Sequence, residues 1–214
     1  MFYEGNEKYY LLVIFQLLPR IIKGLLYRVK FKSKNIIVLI GKRVRILGKR
    51  KDLEIGKHVI IEDNVCLQTV SQNGIHLGNY VTIGEGTQIR PSAFYGGKKG
   101  WGLYVGDGSY IGPNSYIGCS GKITIGKNVL IGPNCTMIAE NHIFADVEKI
   151  IAQQGCSNIG IEIKDNVWLG SNVTVLDGVV IETGCVVGAG AVVTRSTVPN
   201  GVYLGVPAKL SRLR

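Results

Sequence analysis

The sequence has few of the residues that build metal cages and disulfide frameworks. Its 214 residues include 3 His, 5 Cys and 6 Pro. The cysteine count is odd and no CxxC pair occurs, so neither a disulfide framework nor a zinc ribbon is expected. No signal-peptide pattern is present. These features predict a cytoplasmic protein with reduced thiols.

Long apolar runs are also missing. The uncharged stretch 9–19 has 11 residues, whereas a helix that spans a bilayer needs about 20. Apolar residues nevertheless recur at steps of three and four from Leu11 to Val29. This spacing predicts an amphipathic helix over 9–29, which Pro19 would kink or split.

Acidic residues are scarce in the first quarter of the chain. Residues 1–51 hold 13 Lys and Arg against 2 Glu, a net +11, while residues 52–214 hold 12 against 13, a net −1. This asymmetry indicates an anionic partner for the basic N-terminal segment 1–51. Two interpretations stay open: the helix packs on the body or on a neighbouring subunit, or it rests on the anionic inner face of the cytoplasmic membrane. No nucleic-acid motif accompanies the charge, so nucleic acid is not an expected partner.

Glycine is in excess, at 29 of 214 residues, and it accompanies a repeat of six residues. Apolar residues begin 18 hexads in six groups of three, and ten of the 18 are followed by Gly. An α-helix cannot keep a six-residue repeat on one side, whereas short strands joined by glycine corners can. Every insertion falls after the third hexad of a group. The repeat therefore predicts an all-β, three-sided solenoid of about six coils, with all insertions leaving from one corner. The hexads begin at Ile55, Ile61, Leu67, Leu77, Ile83, Ile89, Val105, Ile111, Ile117, Ile125, Ile131, Met137, Ile163, Leu169, Val175, Ile181, Val187 and Val193.

The hexads also suggest a structural role for two of the five cysteines. The fifth place of each hexad is usually small or β-branched, and Cys135 and Cys185 hold that place. We therefore expect both thiols inside the core and not as nucleophiles. His58 and His76 are expected to be ordinary surface or core residues.

From about residue 123 to 210 the chain resembles the hexapeptide-repeat O-acetyltransferases that modify maltose, galactosides and polysaccharides. The ordered motifs NH, VWLGS, GAGAVVT and GVPAK carry the resemblance. It implies a left-handed parallel β-helix, a homotrimer, acetyl-CoA as the cosubstrate and no metal requirement. It also makes 52–198 the acyltransferase domain and 199–214 a tail that closes the coenzyme A site. The basic, apolar segment 1–35 stands where the maltose and galactoside enzymes have an acidic helical segment, and it resembles acetyltransferases of O-antigen and capsule assembly.

The resemblance implies that His142 is the catalytic general base. An imidazole, with an ordinary pKa of about 6.5, can take the proton of a sugar hydroxyl as the new C–O bond forms. His142 also lies in the longest interruption of the hexads, between Met137 and Ile163. The alternative is a surface or capping histidine. The candidates that orient His142 or bind the acceptor are Asn141, Asn114, Glu140, Asp146 and Glu148, and the sequence does not choose among them.

The resemblance also implies a set of coenzyme A-binding residues. They are Trp168, Ser171, Gly188, Ala189, Gly190, Thr194, Arg195 and Lys209, and Arg212 and Arg214 could extend the set. Cationic and hydroxyl donors suit the coenzyme A phosphates. Trp168 and the GAG sequence could have a structural role instead of binding coenzyme A. Trp168 could pack at a coil corner, and GAG is also an ordinary corner sequence.

The sequence therefore predicts an acetyl-CoA-dependent sugar O-acetyltransferase of surface polysaccharide or O-antigen biosynthesis, with a nucleotide- or lipid-linked acceptor. Each active site would lie between two subunits, with His142 supplied by one of them. An N-acetyltransferase acting on an amino sugar and a non-catalytic solenoid scaffold are the alternatives. A γ-type carbonic anhydrase would need three zinc histidines around the subunit interface, a pattern that His58, His76 and His142 do not form.

Overall fold

The computed structural model describes residues 7–27, 31–32, 37–91 and 98–214, and one helix precedes short strands throughout these residues. The helix is α1 (Glu7–Tyr27), and 3₁₀ turns occupy Arg50–Asp52 and Ile151–Gln153. The strands are β1 (Val38–Ile40), β2 (Arg45–Leu47), β3 (Leu53–Ile55), β4 (Val59–Ile61), β5 (Cys66–Gln68), β6 (Ile75–Leu77), β7 (Thr82–Ile83), β8 (Gln88–Ile89), β9 (Gly102–Val105), β10 (Tyr110–Ile111), β11 (Tyr116–Gly118), β12 (Lys122–Ile125), β13 (Leu130–Ile131), β14 (Thr136–Ile138), β15 (Asn141–His142), β16 (Cys156–Ser157), β17 (Ile161–Ile163), β18 (Trp168–Leu169), β19 (Thr174–Leu176), β20 (Val180–Ile181), β21 (Val186–Val187), β22 (Val192–Val193), β23 (Gly201–Leu204) and β24 (Lys209–Leu213).

Three parallel sheets form the faces of a triangular prism. Face A has the order β3-β6-β9-β12-β17-β20, face B runs β1-β4-β7-β10-β13-β18-β21-β23, and face C runs β2-β5-β8-β11-β14-β19-β22. One strand from each face makes one coil, so the six predicted coils are confirmed. The predicted exit of the insertions is confirmed as well, because each leaves between face C and face A.

The core is a stack of aliphatic side chains. All 18 hexad starts are buried, with at most 3% of their surface exposed. Cys135 and Cys185 are also fully buried, as the repeat predicts. The Sγ of Cys135 donates to the carbonyl oxygen of Gly170 on the next coil, at 3.1 Å. These two thiols are therefore part of the packing between coils.

Two of the three corners are built from residues with a left-handed backbone. Asn and Gly tolerate this conformation better than other residues, which explains why both recur between the strands. The corner between faces A and B uses His58, Tyr80, Gly108, Asn128, Asn166, Gly184 and Asn200; the corner between faces B and C uses Arg43, Asn64, Gly86, Asn114, Asn134, Asn172 and Gly190.

The prism begins upstream of residue 52. Strand β1 pairs in parallel with β4, and β2 pairs with β5. Lys32 adds an isolated parallel bridge to Glu54 on face A. Residues 31–32 and 37–47 thus belong to a further partial coil, inside the segment 1–51 that the sequence predicts to precede the β-helix. At the other end, β24 folds back antiparallel on β23.

Helix α1 packs against this first coil. At Gly24 the helix backbone approaches Val38 so closely that a Cβ would overlap the Val38 carbonyl oxygen. Arg20 forms an ion pair with Asp63 at 3.1 Å. The helix predicted over 9–29 is confirmed as far as Tyr27, and residues 28–29 lie outside the described residues. Of the two effects expected of Pro19, the split is wrong, since α1 runs through Pro19, and the kink stays a prediction. Packing on β1 offsets the missing N–H bond.

The opposite side of α1 is apolar and exposed. Its large side chains are Leu18, Ile22, Leu25 and Leu26, and Leu26 leaves 69% of its surface exposed. Among the described residues, no helix combines the length and apolar character needed to cross a bilayer.

Candidate active site

The predicted base lies on a hairpin outside the prism. Strands β15 and β16 pair antiparallel within the 139–160 insertion, and His142 is directly opposite Cys156. Ile143 N–H donates to the Gly155 carbonyl at 3.0 Å and extends the pairing. His142 is exposed and does not cap the solenoid core, so its imidazole is accessible to a substrate.

The imidazole lies within hydrogen-bond distance of a thiol. Nδ1 of His142 lies 3.4 Å from Sγ of Cys156. If Nδ1 carries the proton and donates it to sulfur, Nε2 keeps a free lone pair and can act as a base. Partial desolvation, and to a lesser extent the carboxylate of Glu140, raise the pKa of the Cys156 thiol. The thiol is therefore protonated at neutral pH.

The structure separates the five orienting candidates. The carboxylate of Glu140 lies within 4.8 Å of both the His142 ring nitrogen and the Cys156 sulfur. Asp146 instead organises its own loop: it forms an ion pair with Lys149 at 2.8 Å and accepts the Glu148 N–H at 3.1 Å.

The two asparagine candidates occupy different environments. Asn141 is exposed and is the residue before His142 on β15. Asn114 is one of the residues with a left-handed backbone at the corner between faces B and C, and its φ is 55°. The left-handed backbone gives Asn114 a structural reason to be asparagine, so its identity alone does not indicate acceptor binding.

Ser171 and the GAG sequence form one feature at the corner between faces B and C. Gly190 N–H donates to the Ser171 carbonyl at 2.8 Å, so the two turns stack on adjacent coils. Gly188 N–H donates to Tyr203 of the tail at 2.8 Å. Ser171 and residues 188–190 are therefore neighbours in the fold, and their role in binding coenzyme A stays a prediction.

Trp168 lies on the flat of face B, and the alternative that it packs into a coil corner does not fit this position. Its partners in register are Leu130 on β13 and Val186 on β21. These three side chains line a groove of about 420 Å³ that Arg212 and Arg214 also line. The groove therefore combines an apolar wall with cationic groups, which is the polarity that an acyl-coenzyme A requires.

The other predicted residues are dispersed. Thr194 and Arg195 are exposed and follow β22 at the edge of face C, and Lys209 begins β24 opposite Leu204. His58 stacks on Tyr80 at 5.2 Å between ring centroids. His76 lies on face A, where its Nδ1 is 3.3 Å from Glu54. His58 and His76 thus lie on separate parts of the prism, and His142 lies on the hairpin outside it.

Within one chain, His142 and the Trp168 groove lie on different sides. The hairpin leaves from the corner between faces C and A, whereas Trp168 lies on face B. Sequence reasoning missed Cys156 and Leu130, because neither carries a motif; each is found only through its partner across the strands.

Two family descriptions match separate parts of the chain, and curated acetyltransferases are similar to it. Bacterial transferase hexapeptide (six repeats) matches residues 160–195, and the hexapeptide repeat of succinyl-transferase matches 122–138. Galactoside O-acetyltransferase of Escherichia coli K12 is 34% identical over 134 residues, 62% of this chain and 64% of that protein. WbbJ of the same strain, described as a lipopolysaccharide biosynthesis O-acetyl transferase, is 54% identical over 50 residues, 23% of this chain and 26% of that protein. The aligned region thus spans less than two thirds of the length of these relatives.

Solved structures share the fold. AntD, an N-acyltransferase from Bacillus cereus crystallised with dTDP and 3-hydroxybutyryl-CoA, is similar with a TM-score of 0.58 and 21% identity, over 90% of this chain and 88% of that chain. The hexapeptide-repeat acetyltransferase VCA0836 from Vibrio cholerae has a TM-score of 0.51 and 23% identity, over 94% and 85%. The prism is a left-handed parallel β-helix. Residues 122–138 and 160–195 carry the hexapeptide repeats that these family descriptions define, as the sequence motifs implied.

Proposed function

We propose that this protein transfers the acetyl group of acetyl-CoA to a hydroxyl of a sugar, with His142 as the general base. One observation carries the proposal: an exposed imidazole stands on a hairpin outside the solenoid, where its Nε2 is available to a substrate. The galactoside O-acetyltransferase relative supports a sugar hydroxyl as the acceptor.

The chain's own groups suit a direct transfer within a ternary complex. The sugar oxygen attacks the thioester carbonyl carbon while its proton moves to Nε2 of His142. The C–S bond then breaks, and the same nitrogen returns the proton to the coenzyme A sulfur. Backbone N–H groups can stabilise the negative oxygen that develops. Holding both substrates in line replaces a covalent intermediate on the enzyme.

The groove of face B supports the choice of donor. Trp168, Leu130 and Val186 offer apolar surface to an acyl-pantetheine arm, and Arg212 and Arg214 offer donors to phosphates. The turn at Gly188–Gly190, with the tail 199–214 beside it, extends this surface along the coils. The proposed reaction requires no metal ion in this groove.

A homotrimer would join the separated halves of the site. The hairpin insertion exposes large apolar side chains, with Val147 90% and Phe144 71% exposed. Monomeric proteins rarely expose such clusters, and a neighbouring copy is the partner that would also bring a Trp168 groove to His142.

The test is acyl transfer measured by release of free thiol, with a panel of sugars as acceptors. His142→Ala is expected to lose about a hundredfold to ten-thousandfold in turnover, the range for removal of a general base. Its affinity for acetyl-CoA should persist, as measured by calorimetry. Unchanged turnover in His142→Ala would refute the base assignment, and absence of any acetyl-CoA binding would instead favour a solenoid scaffold.

An N-acetyltransferase is the second candidate. The likeness to AntD favours it, because that enzyme is an N-acyltransferase on the same fold. Mass spectrometry of the products from matched sugars, one with a hydroxyl and one with an amine at the same carbon, separates the two.

The proposed enzyme works in surface polysaccharide or O-antigen biosynthesis, on a nucleotide- or lipid-linked acceptor at the inner face of the cytoplasmic membrane. The WbbJ relative supports this pathway class. The exposed apolar side of α1, with Ile22 and Leu26, and the net +11 of residues 1–51 suit an anionic lipid surface. Flotation with anionic vesicles should fall for Leu26→Asp and at raised salt. No flotation with anionic vesicles would contradict membrane contact and leave a neighbouring subunit as the partner of α1, whereas equal flotation with neutral vesicles would contradict only the role of lipid charge.

A further inference from the structure

The hairpin that carries His142 also gathers two other groups that bind metal ions. Cys156 is directly opposite His142 in the antiparallel pair, and Glu140 precedes His142 by two residues. In an extended chain, residues two apart project to the same side. One nitrogen, one sulfur and one carboxylate oxygen consequently lie within 4.8 Å of one another.

We propose that Glu140, His142 and Cys156 form a zinc-binding site whose occupation switches off the base. Zinc is bound in proteins by imidazole nitrogen, thiolate sulfur and carboxylate oxygen. Among the described residues, this is the one group of three such side chains close enough to share an ion. Three protein ligands leave a fourth position for water.

The spacing of the first two ligands already fits a tetrahedral ion. With Zn–N of about 2.0 Å, Zn–S of about 2.3 Å and a tetrahedral angle, the nitrogen and sulfur should lie about 3.5 Å apart. Nδ1 of His142 and Sγ of Cys156 are 3.4 Å apart. The carboxylate of Glu140 needs only a modest shift, which a side chain at the edge of a hairpin can make.

Binding exchanges a proton for the metal. The thiol of Cys156 loses its proton to solvent, the sulfur bonds to zinc, and Nδ1 donates its lone pair to the same ion. The proton of the neutral imidazole then resides on Nε2. Because Nε2 no longer has a free lone pair, it cannot accept the proton of a sugar hydroxyl.

The binding part of this inference is independent of the proposed acyl transfer, and the inhibition part rests on it. Cobalt(II) is the probe for binding, since a thiolate ligand gives a ligand-to-metal band and a tetrahedral site gives strong visible bands. Metal-stripped, reduced full-length protein should show both bands at one cobalt per chain, and zinc should displace the cobalt.

Variants assign the ligands. Cys156→Ser should abolish the thiolate band, and Glu140→Gln should keep the band but weaken zinc affinity by at least about tenfold. The matched control is His76→Ala, because His76 is also a surface histidine beside a carboxylate but has no thiol partner in the structure. It should bind cobalt as the parent protein does.

The inference is overturned if no thiolate band forms, if Cys156→Ser retains the band, or if His76→Ala removes it. Circular dichroism checks that each variant is folded. Activity is the second readout, with each protein compared with its own metal-free rate. Zinc should inhibit the parent far more than Cys156→Ser. A protein that binds cobalt through Cys156 but has no transferase activity would contradict the proposed function and leave the metal site standing.

Discussion

Leu130 and Trp168 occupy matching positions on adjacent coils of face B, and each leaves 54% of its surface exposed. The neighbouring hexad starts, Ile131 and Leu169, point into the core, so these two side chains must point outward. An exposed tryptophan stacked above an exposed leucine is an unusual use of a sheet face. It provides a flat apolar surface that a flexible acyl-pantetheine arm can cover.

The first prediction concerns this surface. Trp168→Ala should weaken acetyl-CoA binding by at least about fivefold, since about 1 kcal/mol of aromatic contact is lost. Calorimetry measures the change. Tyr104→Ala is the matched control, because Tyr104 is an exposed aromatic residue on a strand of face A and should leave the affinity unaltered. Equal losses for both variants would contradict the assignment of the groove.

The second prediction concerns assembly. Val147→Asp should dissociate the proposed homotrimer, because in that assembly the 90% exposed Val147 would meet a neighbouring copy and the new charge would be buried. Sedimentation velocity at micromolar concentration reads out the change. Val147→Thr keeps the shape and should remain trimeric. A parent protein that sediments as a monomer would show that the exposed insertion serves another contact.

The third prediction concerns the glycine that follows many hexad starts. A Cβ at Gly112 would lie 2.5 Å from the backbone of Gly132 on the next coil. Gly112→Ala should therefore lower the free energy of unfolding by about 1–3 kcal/mol, measured by urea denaturation. At Gly118 the nearest atom, at 3.0 Å, belongs to the movable Tyr116 ring, so Gly118→Ala should cost less. The reverse order would mean that the coils separate easily at this corner.

Most of the fold could be predicted from the sequence because a solenoid is nearly one-dimensional. Each coil packs on its neighbours, so a local period of six fixes both the strands and the face that each side chain lines. The sequence did not predict the first coil, even though Ile40 and Ile46 are six residues apart, as successive hexad starts are. The surrounding Lys42, Arg43 and Arg45 gave this stretch the appearance of a solvated basic segment.

The site could be predicted only in part. A motif resemblance located His142, but the contact with Cys156 depends on a hairpin that forms inside an irregular insertion. No periodicity determines the register of that hairpin, so nothing in the sequence indicated that Cys156 rather than Asp146 lies beside the ring. The groove around Trp168 shows the same limit, because Arg212 reaches it only when β24 folds back on β23.

The last prediction concerns how the free energy of unfolding changes at acidic pH. Asp107 links two coils: it accepts the Asn79 backbone N–H at 2.8 Å and the Asn79 side-chain amide at 3.2 Å. These hydrogen bonds, with a smaller contribution from Lys127, hold the pKa of Asp107 below its ordinary value of 3.8, against a partial desolvation that raises it. The ionised carboxylate therefore stabilises the folded state at neutral pH. This stabilisation is lost as the pH falls through the folded-state pKa, because protonation then no longer differs between the folded and unfolded chains.

Asp107→Ala should consequently lower the free energy of unfolding by about 1 kcal/mol at pH 7. The difference from the parent should shrink at pH 3 and below. Urea denaturation at fixed protein concentration measures both values, and Glu148→Gln, on the exposed insertion, controls for the loss of one negative charge. A difference that grows on acidification would mean that Asp107 is protonated in the folded protein, and the bond to Asn79 would then need a neutral carboxyl group.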